Sequence, residues 1–258
     1  MVANSAHVGW GIMGGVRALF DLPAAYDLSA AEQDAPVPPV QAVLCDFSNT
    51  LFRMIGTDEW LRRIAADTGR PLDDPAAVLA DLDAAAAEPE VAAAQEGRDL
   101  DADAHVHAMR TWFARVPYLA GIEDAAQARV VAEDSWVPYP DTGPFLRSLA
   151  ERGVPVGVVS DIGWDIRGHA RAAGLDALVG TWVLSCEEGR EKPAPELFRT
   201  ACARLGVDPR RTVMVGDNPA RDGGAVAAGL RAFVLASEQR DGDRGLAAVL
   251  PLLSPAGA

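Results

Sequence analysis

The sequence alternates short apolar segments with longer stretches of helical pattern, and this alternation limits the fold more than any other feature. Each apolar segment ends in polar or glycine residues. Continuous apolar strands of this kind are buried on both faces, so we predict an α/β fold with a parallel sheet between helices. The five predicted strands are residues 40–47, 154–160, 181–184, 212–216 and 232–235.

Polar side chains follow the apolar segments directly. Asp46 lies at the end of the first predicted strand, Ser160 and Asp161 at the end of the second, and Asp217 at the end of the fourth. In open parallel sheets, ligands bind beyond the carboxyl ends of the strands. The sequence therefore predicts that these four side chains share one site.

The segment between the first two strands, residues 54–139, is too long for a simple crossover connection. It contains 17 acidic residues against 7 arginines and no lysine, a formal charge of −10, which disfavours polyanionic substrates. We predict an inserted all-α domain. Its Ala-rich helical stretches are residues 57–68, 75–87, 105–116 and 125–134.

We predict that residues 1–39 form an N-terminal arm that ends in a stiff, Pro-rich linker. Within the arm, Gly9, Gly11 and Gly14 have the spacing of a dinucleotide-binding loop. No apolar strand precedes them and no βαβ unit surrounds them, so we reject that function for this segment.

Charge and hydropathy exclude several classes of partner. The formal net charge of −14 repels nucleic acid and anionic lipid surfaces, so we expect neither as a partner. There is neither an apolar run of about 20 residues nor a secretory signal, so we expect a cytoplasmic protein. The sequence does not predict the oligomeric state. The three cysteines, Cys45, Cys186 and Cys202, have no metal-ligand spacing and do not suggest a disulfide framework.

Two further motifs carry charged residues suited to phosphate chemistry. Lys192 is the only lysine of the chain and precedes a predicted helix start at Pro195, which suggests a need for a compact positive charge. Asp217 and Asp222 follow the fourth strand, and hard carboxylate oxygens are ligands that Mg²⁺ prefers. The simpler alternative for Lys192 is a solvated surface lysine, and the simpler alternative for Asp222 is a helix cap.

The order of these motifs resembles the four motifs of the haloacid dehalogenase superfamily, over residues 40–236. The resemblance implies a Rossmann-like core from residues 40–53 and 140–258, with residues 54–139 as a helical cap. It further implies Mg²⁺-dependent hydrolysis of a phosphate ester or acyl phosphate of a small molecule through an aspartyl intermediate. In that scheme Asp46 attacks, Ser160 and Lys192 hold oxygens, and Mg²⁺ bridges Asp46, the Ser48 carbonyl and Asp217, with Asp222 near.

The resemblance implies three sets of site residues. The catalytic candidates are Asp46, Ser48, Ser160 and Lys192. The substrate-binding candidates are Asn49, Thr50 and Asp161, and the metal-binding candidates are Asp46, Ser48, Asp217 and Asp222.

The motif around the nucleophile departs from that of the phosphatases in the superfamily. They carry a second Asp two residues after the nucleophile, followed by Gly and Thr, where this chain has Ser48, Asn49 and Thr50. Asn tolerates the left-handed backbone conformation, so the loop shape can survive. A serine hydroxyl cannot act as general acid for the leaving alcohol and then as general base for the attacking water. General acid–base catalysis is typically worth a factor of roughly 10² to 10⁴ in rate.

Three hypotheses follow from Ser48. In the first, the protein is a phosphatase whose leaving group needs no acid or takes its proton from a cap residue such as His105 or His107. In the second, it is a dehalogenase, although dehalogenases have Tyr at position 48 and lack the Gly-Asp metal motif. In the third, it is a binding or regulatory module with little turnover. Phosphonate-cleaving relatives use a cap lysine, and residues 54–139 contain none, so that branch is rejected.

The remaining aromatic residues are expected to have structural roles. We expect His169 on a helix surface, and Trp164 as a packing residue that could line the pocket. The other tryptophans that we expect to pack in the interior are Trp60, Trp112, Trp136 and Trp182.

Overall fold

In a computed structural model of the protein, residues 38–236 and 242–253 are described. The strands are β1 (Ala42–Cys45), β2 (Phe52–Met54), β3 (Trp136–Pro138), β4 (Val156–Ser160), β5 (Thr181–Leu184), β6 (Thr212–Gly216) and β7 (Arg231–Val234). Five of them form one parallel sheet in the order β5-β4-β1-β6-β7, and β2 and β3 form a separate antiparallel ribbon. This confirms the predicted parallel sheet.

Nine α-helices lie within the described residues. The insertion between β2 and β3 holds five of them, and four connect or follow the strands of the sheet. The helices are α1 (Thr57–Thr68), α2 (Pro75–Ala86), α3 (Pro89–Gln95), α4 (Ala102–Phe113), α5 (Glu123–Val131), α6 (Thr142–Glu151), α7 (Arg167–Ala172), α8 (Ser185–Glu188) and α9 (Pro195–Leu205). Short 3-10 helices include Arg98–Leu100, Asp222–Ala228 and Leu246–Leu252.

The strands of the sheet are buried on both faces because their alternate side chains enter two separate hydrophobic clusters. Val43 and Val213 pack on one face with residues of α6, including Phe145. Leu44 and Met214 pack on the other face with residues of α9 and of the Asp222–Ala228 helix. The apolar character of successive strand residues, which led to the prediction, follows from this double burial.

Two predicted strands are shorter than expected. The first was predicted over 40–47, but β1 begins at Ala42 and ends at Cys45, because the chain turns at Phe47. The second was predicted from 154, but the Val154 N–H donates to Leu149 O at the end of α6 and is not part of β4. The pattern of apolar residues predicts that a strand is present, but it does not predict the residue at which the hydrogen bonds to the neighbouring strand end.

The helical insertion has a hydrophobic cluster of its own. Trp60 and Leu61 of α1 pack there with Met109 and Phe113 of α4, and all four are essentially fully buried. Asp74 and Asp101 cap α2 and α4, since their carboxylates accept from N–H groups in the first turn of each helix. The helix α3 was not predicted.

The ribbon of β2 and β3 lies where the insertion leaves and rejoins the sheet domain. Phe52 pairs with Pro138 and Met54 with Trp136. The predicted all-α insertion therefore begins and ends in strand structure, and the boundary that we drew at residue 54 falls within β2. Strands of three residues are too short to show a period of two in the sequence.

The prediction for His169 was wrong. Its side chain is 2% exposed and lies against the rings of Phe47, Trp136 and Trp164, so it is part of the interior. Trp60, Trp112 and Trp136 are buried as expected, while Trp164 and Trp182 are half-buried. The dinucleotide-like glycines Gly9, Gly11 and Gly14 lie outside the described residues. Across the parts of the chain that the structure describes, every helix is too short or too polar to span a bilayer.

Candidate active site

The loop that follows β1 places Asp46 at the carboxyl edge of the sheet. The Phe47 carbonyl accepts from the N–H groups of Thr50, Leu51 and Phe52 and closes a tight turn. Within this turn Asn49 has φ of 56°, the left-handed conformation that Asn was expected to tolerate. Asp46 itself is 7% exposed, and its Oδ1 accepts from the Phe47 N–H at 2.7 Å.

Lys192 lies at the centre of the site. Its ammonium group is 3.0 Å from Asp46 Oδ1 and 2.7 Å from Asp222 Oδ1, and the residue is 4% exposed. Burial alone acts to lower the pKa of Lys192, but the charges of Asp222 and Asp46 outweigh it and raise the pKa above its ordinary value. The single lysine of the chain is thus a buried, charged group and not a surface residue.

Three carboxylates meet at the edge of the sheet. Oxygens of Asp46, Asp217 and Asp222 lie within 4.8 Å of one another, an arrangement that can hold a metal ion. Asp217 directly follows β6. Asp222 begins the next 3-10 helix, and its Oδ2 accepts from the Asn218 N–H at 2.9 Å. Because both Asp222 oxygens have protein partners, this residue positions Lys192 as well as adding charge.

The carboxylates perturb each other's ionisation. Burial raises the pKa of Asp46 to about 8, since the lowering effect of Lys192 is outweighed by burial together with the charges of Asp222 and Asp217. Burial and Asp222 likewise raise the pKa of Asp217 to about 6. Three acids face one lysine, so the site has an excess of negative charge that a divalent cation would neutralise. Carboxylate oxygens are the hard donors that Mg²⁺ requires, and the residues present fit that ion.

Ser160 and Thr50 are the uncharged candidates of the site. Ser160 ends β4 and is 1% exposed, and Thr50 is fully buried in the loop after Asp46. Neither hydroxyl has a hydrogen-bond partner among the described residues. Buried hydroxyls usually have one, so these two are available for groups of a bound ligand. Ser48 and Asn49 are half-buried in the same loop.

Asp161 was predicted to bind substrate, but both of its carboxylate oxygens contact protein groups. Oδ1 accepts from the Lys192 backbone N–H at 2.8 Å, and Oδ2 accepts from Arg221 Nη1 at 2.6 Å. Asp161 therefore orients the loop that carries Lys192. Arg221 was not among the predicted site residues, although it lies inside the Asp217–Asp222 motif. Nothing in the sequence indicates that Arg221 pairs with Asp161.

The insertion contacts the sheet domain beside Ser160. The Ser185 hydroxyl donates to the Asp99 carbonyl at 2.5 Å and accepts from the Ile162 N–H at 2.8 Å. Asp99 was not a sequence candidate. The ring centroid of Trp164 lies 4.8 Å from that of His105, so Trp164, in the loop after β4, packs against the insertion.

Comparisons with known proteins give the family of this chain. A family model described as haloacid dehalogenase-like hydrolase matches residues 40–229. A phosphoserine phosphatase of Thermus thermophilus is 37% identical over 119 residues, 45% of this chain and 45% of that protein. A glyceraldehyde 3-phosphate phosphatase of Methanopyrus kandleri is 38% identical over 87 residues, 33% of this chain and 37% of that protein. The chain thus spans less than half the length of these two curated relatives.

The fold is also found among solved structures. The crystal structure of the HAD-hydrolase YfnB of Bacillus subtilis, bound to magnesium, has a TM-score of 0.62 and 16% identity, covering 84% of this chain and 100% of its own. At that identity the likeness shows the fold alone. The family model, however, spans most of the 258 residues. This chain therefore belongs to the haloacid dehalogenase-like hydrolases.

Proposed function

We propose that the protein is a Mg²⁺-dependent phosphatase that hydrolyses a phosphate ester or acyl phosphate of a small molecule through a covalent intermediate on Asp46. The observation that carries the proposal is the buried contact of Asp46 with Lys192 beside Asp217 and Asp222. A nucleophile, a fixed cation and a carboxylate cluster at one sheet edge are the parts that phosphoryl transfer needs.

In the first step a carboxylate oxygen of Asp46 attacks phosphorus and the bond to the leaving oxygen breaks. Lys192 lies 3.0 Å from Asp46 Oδ1, so its ammonium group stabilises the negative oxygens of the phosphoryl group as it arrives. The Ser160 hydroxyl, buried and without a partner among the described residues, donates to one of those oxygens. Water then attacks the phosphorus of the aspartyl phosphate, which releases phosphate and restores Asp46.

Asp46 and Asp217, with the Ser48 carbonyl, would hold Mg²⁺, and Asp222 would lie behind them. When bound, the ion supplies charge neutralisation and orients the phosphoryl oxygens. Burial raises the pKa of the Asp46 carboxyl to about 8, while Lys192 acts in the opposite direction and favours the carboxylate that attacks.

The substrate is a small phosphorylated metabolite. The names of the two curated relatives describe phosphatases of a phosphorylated amino acid and of a phosphorylated sugar. The acidic insertion, with a formal charge of −10 over residues 54–139, favours substrates with few negative charges besides the phosphate. Carbon–halogen cleavage is the weaker hypothesis, because it gives no role to Asp217 and Asp222. A module without turnover would not need a buried lysine beside a nucleophile.

A substrate panel tests the proposal. Aryl, acyl, amino-acid and sugar phosphates and 2-haloacids are assayed with and without Mg²⁺, using wild type, Asp46→Asn and Asp217→Asn. We expect phosphate release by wild type that requires Mg²⁺, its loss in Asp46→Asn, and weaker Mg²⁺ binding by calorimetry in Asp217→Asn. Full turnover in Asp46→Asn, or halide release with no phosphatase activity, would refute the proposal.

A further inference from the structure

The proposed phosphatase lacks a group that can protonate its leaving oxygen at the usual place, because position 48 is a serine. A serine hydroxyl with an ordinary pKa neither donates nor takes up a proton efficiently near neutral pH. A buried acid–base pair in the helical insertion contacts the loop that follows Ser160.

This pair is Asp99 and His105. His105 is 3% exposed, and its Nδ1 lies 3.4 Å from Asp99 Oδ1. Its other nitrogen, Nε2, is buried and has no hydrogen-bond partner among the described residues. A carboxylate that holds one imidazole nitrogen fixes the ring orientation and favours the form in which the other nitrogen exchanges protons.

The pair is fixed against the loop that follows Ser160. A Cβ atom on Gly163 would lie only 2.4 Å from His105 Cβ, so the imidazole packs directly on the backbone of that loop. The ring of Trp164 lies on its other side, with the ring centroids 4.8 Å apart. Ser185 joins the Asp99 carbonyl to the Ile162 N–H. His105 is therefore held a few residues from Ser160, on the side of the site that faces the insertion.

Three buried polar atoms of the loop after β4 and of His105 lack partners. Ser160 Oγ, Trp164 Nε1 and His105 Nε2 are all buried, and none has a hydrogen-bond partner among the described residues. The rings of His105 and Trp164 are in contact, and Trp164 is four residues after Ser160. Buried polar atoms are seldom left unpaired, so these three are available to a polar ligand. Ser160 is the proposed contact of the phosphoryl group, which places the leaving group toward Trp164 and His105.

The other titratable groups near the pair already have partners. Asp161 is held by Lys192 and Arg221, and Glu191 lies 3.7 Å from the Arg221 guanidinium. Arg98 lies 3.5 Å from Asp99 and balances its charge. His107, the second histidine of α4, is exposed. The ring nitrogens of His169 are also buried without a partner among the described residues, but that ring lies against the rings of Phe47, Trp136 and Trp164. His105 differs in having a carboxylate partner, Asp99.

We propose that His105 is the general acid and base of the reaction, held by Asp99, and that the substrate is a phosphate monoester of an alcohol that needs protonation to leave. The inference rests on the proposed function. As Asp46 attacks phosphorus, the electron pair of the breaking P–O bond goes to the alcohol oxygen, which takes the proton from His105 Nε2. The neutral imidazole then takes a proton from the water that attacks the aspartyl phosphate, so phosphate leaves and the imidazolium is restored.

The test compares alkyl with aryl phosphate monoesters, because an aryl leaving group needs little protonation. The value of kcat/KM covers the steps up to leaving-group departure, so it isolates the role of the acid. In His105→Gln, whose amide retains a polar nitrogen, we expect kcat/KM for the alkyl ester to fall by roughly 10² or more while that for the aryl ester changes little. The matched control, His107→Gln on the same helix, should leave both values unchanged.

A second variant keeps the test decisive if His105→Gln folds poorly. Asp99→Asn retains the imidazole and the Ser185 contact, since that contact uses the Asp99 backbone carbonyl. It should lower alkyl more than aryl kcat/KM. Equal losses for both ester types in a folded variant, or no loss, would overturn the role of His105 and leave the proposed phosphatase intact. A wild-type protein that hydrolyses no phosphate monoester would overturn both.

Discussion

At Gly216 the absence of a side chain allows Asp222 to reach the site. A Cβ atom there would lie 2.1 Å from Asp222 Oδ2. The same Oδ2 accepts from Asn218, and the neighbouring Oδ1 is 2.7 Å from Lys192, so a displaced Asp222 would release the lysine. Space at one backbone position therefore controls the charge arrangement around the nucleophile.

Gly216→Ala should therefore lower both stability and activity. Inserting a methyl group into a filled site typically costs about 1–3 kcal/mol. The free energy of unfolding is measured by denaturant titration and the Mg²⁺ affinity by calorimetry. Gly223→Ala is the matched control, because no atom lies within 4 Å of its added Cβ. Equal behaviour of the two variants would contradict the account of Gly216.

Single residues differed in how far the sequence could predict them. Asp46, Lys192, Asp217 and Asp222 were predictable because they end strands or stand out in composition, and the structure places them together. Arg221 was not predictable, because its partner Asp161 is sixty positions away and is chosen by tertiary packing. His169 was misjudged because a single histidine in a short helix carries no signal of burial.

At the scale of elements, α4 brings His105 to the sheet domain. The helix begins after Asp101, whose carboxylate accepts from the Ala104 N–H at 2.7 Å. One turn of helix separates this cap from His105. The start of α4 therefore fixes the position of the imidazole as well as the stability of the helix.

Asp101→Ala should destabilise the protein by about 0.5–2 kcal/mol, the usual effect of losing an N-cap. If α4 frays at this end, kcat/KM for an alkyl phosphate should fall as well. Asp103→Ala, which removes an exposed carboxylate of the same first turn without removing the cap, is the control. Thermal unfolding that moves equally in both variants would show that charge, and not capping, is responsible.

Elements with strong periodicity were predictable and short ones were not. The predicted strand over 212–216 and the predicted helix over 57–68 match β6 and α1. The seven residues of α3 and the three-residue strands of the ribbon are too short for a period to show. Their positions follow from contacts between distant parts of the chain.

At the scale of the whole molecule, the buried carboxylates make stability depend on pH. In the folded protein, burial raises the pKa of Asp46 from 3.8 to about 8 and that of Asp217 to about 6. At a pH between the unfolded pKa of 3.8 and each of these raised values, the folded state keeps a proton that the unfolded chain has lost. This contribution to stability is present below the unfolded pKa and is lost as pH rises through the folded pKa.

We therefore expect the free energy of unfolding without metal to fall as the pH rises from about 4 to about 8. Asp46→Asn should reduce this slope, and the difference between the two proteins isolates Asp46 from other groups. If Mg²⁺ is held by the ionised carboxylates of the folded state, as proposed, it should stabilise wild type increasingly as the pH rises. A slope that is identical in Asp46→Asn would contradict the coupling of the three acids.

The stereochemical course at phosphorus tests the covalent role of Asp46 most directly. A phosphorothioate monoester that carries ¹⁶O and ¹⁸O in one known configuration at phosphorus is hydrolysed by the wild-type protein in ¹⁷O-enriched water, and the configuration of the released chiral thiophosphate is read by phosphorus NMR. Each in-line displacement inverts the configuration. Attack by Asp46 followed by attack by water predicts overall retention, whereas overall inversion would mean that water attacks the substrate directly and that Asp46 is not a nucleophile.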